Sequence, residues 1–247
     1  MEQGRTATQK RELLNWDTSH FRVLYEETDK DFAGKLIGQI EVFYLDICRK
    51  ARISPGEEVY ELYVCGSAER FIFYTGKTQE EYQDWMVGNT DMEKKRLCVA
   101  SPRAKGDMSE RYEEYLVRVM LHEVVHIVFD SICRPEDCEI WISEGIAVWL
   151  AGQTEVEYLS EKDYPRIADL GGKEDMCAFA DNGGYGYSGV YVWYLTQLYG
   201  MEKFLAVYRG DCLVEDLLKE EERLHGETFE HRAIVAYGNR CGQGTVD

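Results

Sequence analysis

Apolar and polar positions fall into distinct blocks along the chain, and each block has its own period. Residues 20–25 and 59–65 read as strands, the second alternating Val59, Leu62 and Val64 with polar neighbours. Over 31–49 the apolar residues Leu36, Ile37, Ile40, Phe43, Tyr44 and Ile47 recur at helical spacing, a single stripe that a helix would bury. Ser54-Pro55-Gly56 marks a turn. A short helix is expected over 68–74, and a strand over 96–101 that Pro102 ends. The longest helical pattern covers 109–129 with Tyr112, Tyr115, Leu116, Val119, Met120, Val124, Ile127 and Val128. Ser109 is its natural N-cap, and Glu110, Glu113 and Glu114 sit near its positive end. A loop leads to a second helix over 141–151. A third runs over 185–199 and stops at Gly200, and the tail is mostly helical.

The order predicts an α+β protein, with a small mixed sheet and helices first and a mainly helical half afterwards. Residues 1–15 are polar and read as a flexible arm. Residues 16–247 read as one domain, with an α/β half over 16–130 and a helical half over 131–247. Four prolines and no low-complexity tract leave no evident linker.

Composition narrows the partners. In 247 residues, 28 Lys and Arg face 46 Asp and Glu, a formal net charge of −18. Phosphate backbones and anionic membrane surfaces both call for a basic face, so neither nucleic acid nor membrane is expected. No apolar run approaches the ~18 residues of a membrane span, and the first residues lack the apolar core of a secretory signal. The eight cysteines are scattered without a Cys-x-x-Cys pair and read as reduced thiols. The expected location is therefore cytoplasmic.

The chemistry is concentrated at His122-Glu123-Val124-Val125-His126. Four helical steps turn through ~400°, so the two imidazoles lie ~40° apart and ~6 Å along one face. They can converge on one ion, and Zn²⁺ accepts imidazole nitrogen in tetrahedral geometry. Glu123 stands beside the pair, placed to act on a metal-bound water without being a ligand. A catalytic zinc needs a third protein ligand and an open position. Glu144 is the candidate: a single carboxylate inside the apolar run Trp141-Ile142-Ser143-Glu144-Gly145-Ile146-Ala147-Val148-Trp149. A buried carboxylate needs a cation or hydrogen bonds. The seventeen residues between His126 and Glu144 leave room for a loop and an antiparallel return.

These two segments together resemble the gluzincin zinc peptidases, in particular the small peptidase-MA-like proteins, and more distantly the catalytic domain of aminopeptidase N-type enzymes. The resemblance implies a zincin-like catalytic domain and a single Zn²⁺ held by His122, His126 and Glu144. It also implies Glu123 as general base and a peptide or protein as substrate. It extends into Tyr185-Gly186-Tyr187-Ser188-Gly189-Val190-Tyr191-Val192-Trp193-Tyr194. There it implies Tyr185 as donor to the developing oxyanion, with Tyr187 as the near rival and Ser188 at a position kept small. In the same layout residues 97–101 form an edge strand that pairs with extended substrate through Val99 and Ala100. The spacing to Glu144 is one residue shorter than in the aminopeptidase branch, Ser143 stands where those relatives often have Asn, and their Gly-x-Met-Glu-Asn element is absent. Aminopeptidase specificity is therefore not implied.

Other residues carry plainer readings. His20, His225 and His231 read as surface or hydrogen-bonded histidines, and residues 219–223 as a solvated helix face. Asp130, one turn beyond His126, is placed to orient that ring. The alternatives to a zinc-dependent peptidase are a zinc-binding interaction module without turnover and a metal-free helical adaptor. The oligomeric state is left open.

Overall fold

A computed structural model describes residues 13–133, 138–155, 159–160 and 162–242. The chain divides into two compact units. The described residues of Met1–Glu41 and Gly56–Met120 form the first, and those of Val42–Pro55 and Leu121–Asp247 the second. Both boundaries that are not in loops fall inside long helices, α1 (Lys30–Ala51) and α4 (Glu110–Asp130).

The first unit is built on a five-stranded sheet of β1 (Leu14–Asp17), β2 (Phe21–Tyr25), β3 (Tyr60–Cys65), β4 (Gly88–Asp91) and β5 (Arg96–Ala100). The order is β1-β2-β3-β5-β4, with β2, β3 and β5 parallel and an antiparallel strand on each edge. The central strands bury Phe21, Val23, Leu62, Leu97 and Val99. Helix α2 (Ala68–Thr75) is capped by the Ser67 hydroxyl and lays Phe71 against Cys65, Cys98 and Tyr82. A short helix α3 (Pro102–Lys105) follows β5, starting on the proline expected only to end a strand. Its Arg103 donates to Glu26 at 2.6 Å and to Asp29 at 2.7 Å, pairing two buried carboxylates. Ser109 caps α4 as the sequence predicts, its hydroxyl accepting the Tyr112 N–H at 3.3 Å.

Two strands depart from expectation. Residues 1–12 of the expected arm lie outside the described residues, but Leu14 and Asn15 belong to β1, paired with Tyr25 and Leu24. The strand expected at the sheet edge is an inner one. Val99 pairs with Val64 on one side and with Gly88 on the other, and the Ala100 N–H bonds the Val87 carbonyl at 2.8 Å. Neither backbone edge of β5 is open, so the reading of Val99 and Ala100 as contacts for an added substrate strand is corrected. The covering strand Gly-Asn-Thr-Asp has no apolar alternation, and its backbone pairing to β5 leaves no mark in hydropathy.

The second unit is helical: α5 (Ile140–Leu150), α6 (Met176–Asp181), α7 (Gly184–Tyr208), α8 (Val214–His225) and α9 (Phe229–Gly242), with the ends of α1 and α4. Gly200 at φ +78 breaks α7, and the chain then resumes its helical course. Around Phe129 of α4 gather Phe204 and Tyr208 of α7, with ring centroids at 6.3 and 5.1 Å. Tyr191 and Tyr194 pack on Phe229 of α9. One residue of the expected solvated face is buried. Glu221 receives the Tyr199 hydroxyl at 2.9 Å and pairs with Arg232, both on neighbouring helices that the local charge pattern does not show. Among the described residues no helix is long and apolar enough to cross a membrane.

Helices α5 and α7 are the most tightly packed pair, and glycines set their approach. A Cβ on Gly145 would lie 2.5 Å from the Ser188 carbonyl oxygen and 2.6 Å from Val192. A Cβ on Gly189 would lie 2.5 Å from the Thr154 methyl and 2.6 Å from Val148. Since the obstacle at Gly145 is backbone, only movement of a whole helix relieves it. Gly145→Ala is expected to destabilise the protein by about 2 kcal/mol and to displace the neighbouring Glu144. Urea unfolding reads the first effect and metal affinity the second; a variant with wild-type values in both would show that the two helices do not need this contact.

Candidate metal centre

Helix α4 carries His122, Glu123 and His126 within a stretch whose other members, Leu121, Val124, Val125, Ile127 and Val128, are buried. His122 and Glu123 are themselves 7% and 8% exposed. The one-turn spacing puts the two imidazoles on a common face, with ring centroids 4.7 Å apart and planes at 70°. Helix α5 brings Glu144 to the same point. His122 Nε2 lies 3.1 Å from Glu144 Oε2 and 3.0 Å from His126 Nε2, and His126 Nε2 lies 3.6 Å from Glu144 Oε2. Among the described residues, this is the group of three side chains close enough together to hold a metal ion.

That triangle can be compared with coordination geometry. Tetrahedral ligands at ~2.0–2.1 Å from Zn²⁺ stand about 3.3 Å from one another. The observed edges of 3.0, 3.1 and 3.6 Å bracket that separation. The donor set of two imidazoles and one carboxylate suits zinc and also other divalent first-row cations.

The electrostatics point the same way. Burial pulls the His126 imidazole down, but the Glu144 carboxylate, helped by Glu123 and Asp130, more than reverses this and raises it to about 9. Burial likewise pushes Glu144 up, and His126 and His122 overcome it, holding the carboxyl well below the usual range. Asp130 is raised by burial against the pull of His126. Its Oδ1 has no hydrogen-bond partner, and its charge acts on His126.

The tyrosines of α7 separate clearly. Tyr185 lies beside the centre, its ring 6.3 Å from that of His122 and set edge-on against Phe179 at 5.3 Å. Tyr187 is 8% exposed, and its hydroxyl accepts the Ser160 N–H at 3.0 Å and reaches the Asp163 carbonyl at 3.1 Å. Its hydroxyl is committed to Ser160 and Asp163, which corrects its reading as a substrate contact or rival oxyanion donor. Ser188, fully buried, is the small residue whose carbonyl faces Gly145.

The three remaining histidines are engaged elsewhere: His20 with Glu41 at 2.5 Å, His225 with Glu221 at 3.6 Å and His231 with the Tyr164 hydroxyl at 2.9 Å. The residue that sequence reasoning missed is Gln153. Its side-chain oxygen lies 2.8 Å from His122 Nδ1, with both groups buried. It stands nine positions after Glu144 with no motif or period to mark it. No protein-family model matches the chain, and no curated protein sequence matches it.

The charges set a pH dependence. A group raised on folding, as His126 is from 6.5 to about 9, contributes stability that is complete below 6.5 and is lost as pH rises through 9. Glu144, lowered from 4.5, contributes stability above 4.5 that is lost as pH falls. Metal-free protein is therefore expected to be most stable between these limits and to weaken from pH 6.5 to 9. At pH 7 His126 carries a proton that a cation must expel, so loading with Zn²⁺ is expected to release about one proton. Titration calorimetry in buffers of different ionisation enthalpy counts it, and a buffer-independent heat at pH 7 would contradict the assignment.

Proposed function

We propose that this protein is a zinc-dependent metallopeptidase of the gluzincin type, with a zincin-like catalytic domain. The observation that carries the reading is the convergence of His122 Nε2, His126 Nε2 and Glu144 Oε2, at separations of 3.0 to 3.6 Å, with Glu123 on the same helix. A structural zinc site usually closes with four protein ligands, whereas three leave a coordination position for chemistry. The pairing of these ligands with a buried, non-ligating carboxylate supports catalysis over simple metal storage.

A divalent cation held by these ligands supplies Lewis acidity, toward a carbonyl oxygen and toward water. Glu123, within electrostatic reach of His126, accepts a proton as water attacks the peptide carbon. The water oxygen bonds to that carbon, the C–N bond breaks, and Glu123 returns the proton to the departing nitrogen. Products are a carboxylic acid and an amine, which at neutral pH share the second water proton as carboxylate and ammonium, with no redox change. Tyr185 donates its hydroxyl hydrogen to the oxygen that gains charge during attack. The ring contact with Phe179 limits where that hydroxyl points.

The test is Glu123→Gln, which keeps the side-chain size but removes the base. Cleavage of a peptide library is expected to fall at least ~100-fold, while one Zn²⁺ per chain is retained by elemental analysis. Tyr185→Phe is expected to lower turnover ~10²–10³-fold with KM and zinc content little changed. Wild-type protein that binds zinc but cleaves no peptide would overturn the peptidase reading, and full activity in the Gln variant would remove Glu123 from its role.

A further inference from the structure

The geometry points to Gln153 as a positioning residue for the metal centre: its side-chain carbonyl holds the His122 ring in the Nδ1–H tautomer, so that Nε2 presents its lone pair to the cation. The inference rests on the proposed metal site for its functional meaning, although the Nδ1–H bond to Gln153 is a feature of the metal-free protein as well.

A histidine ring bound through one nitrogen is oriented by whatever its other nitrogen meets. At His122 that partner is the Gln153 amide, 2.8 Å from Nδ1 and sealed from solvent. An amide oxygen accepts only, so Nδ1 must carry the hydrogen.

Gln153 is itself held in place from several sides. It opens a single 3-10 turn, Gln153–Glu155, directly after α5, where the Ala151 and Gly152 N–H groups close the helix onto Ala147 and Trp149 at 3.0 and 3.1 Å. The adjacent Thr154 carbonyl accepts the Tyr237 hydroxyl of α9 at 2.9 Å. The Thr154 methyl fills the space over Gly189 of α7, where a Cβ would meet it at 2.5 Å. One stretch of chain thus delivers both a ligand, Glu144, and the group that aims another ligand, His122.

The neutral amide also suits the local charge. Three carboxylates, Glu144, Glu123 and Asp130, already act on His126. A fourth behind His122 would add still more negative charge to the buried site. An amide fixes the tautomer without adding charge.

The experiment compares wild type with Gln153→Met and Gln153→Glu. The first is close to isosteric and has no acceptor; the second keeps the acceptor and adds charge. Zinc affinity is measured by competition with a chromophoric chelator across pH, and the ¹⁵N shifts of the His122 ring are recorded in metal-free and zinc-loaded protein. The Met variant is expected to bind zinc ~10–100-fold more weakly and to lose the protonated Nδ1 signal. The Glu variant keeps an acceptor and is expected to retain both that signal and most of the zinc affinity. A Met variant with wild-type affinity and wild-type ring shifts would overturn the inference. So would a Glu variant that loses the protonated Nδ1 signal, which decides the matter if the Met variant does not fold. Wild type that binds no zinc would defeat the proposed function instead. The metal-free ring shifts would then still judge Gln153, with identical spectra in wild type and Met variant counting against it.

Discussion

Three electron-rich atoms held within 3.0 to 3.6 Å of one another, away from bulk water, require positive charge among them. Two imidazole lone pairs and an ionised carboxylate repel unless a proton or a cation occupies the middle. In the metal-free protein the requirement appears as an imidazole at His126 raised to about 9. A cation held by the same three atoms would meet that demand in place of the proton. The rest of the second unit can be read as the scaffold that keeps this unfavourable grouping from relaxing apart.

That scaffold works through close packing. Leu121, Val124, Val125 and Val128 bury the end of α4, so its two histidines cannot turn outward without exposing apolar surface. Glu144 is equally constrained, because α5 presses on α7 at Gly145, where the Ser188 carbonyl leaves no room for a side chain, and at Gly189, over which Val148 packs. Beyond α5, Gln153 and Thr154 close the arrangement from behind His122. The geometry of the three side chains here is a consequence of helix-to-helix distance, and small residues at the contact matter as much as the polar groups themselves.

Legibility in the sequence followed the kind of signal involved. Helix α4 announced itself by periodicity, by its Ser109 cap and by the His122–His126 spacing, all of which lie within one stretch of chain. Glu144 was visible because a lone carboxylate in an apolar helix is anomalous wherever that helix ends up. β4 was not visible, since Gly88, Asn89, Thr90 and Asp91 pair through backbone groups that every residue shares. The burial of Glu221 escaped notice because its partners, Tyr199 and Arg232, come from other helices.

The sequence by itself therefore determined the α+β order, the longer helices, and which side chains could serve a cation, because these depend on contacts within a few residues of one another. Tertiary structure decided the remainder. It placed β5 inside the sheet, assigned the Tyr187 hydroxyl to a loop while setting Tyr185 beside His122, and brought Gln153 behind that histidine. Each of those outcomes is a pairing between segments far apart along the chain. Such pairings are selected by how whole faces fit and by which polar groups would otherwise be buried alone, and no local pattern encodes that choice.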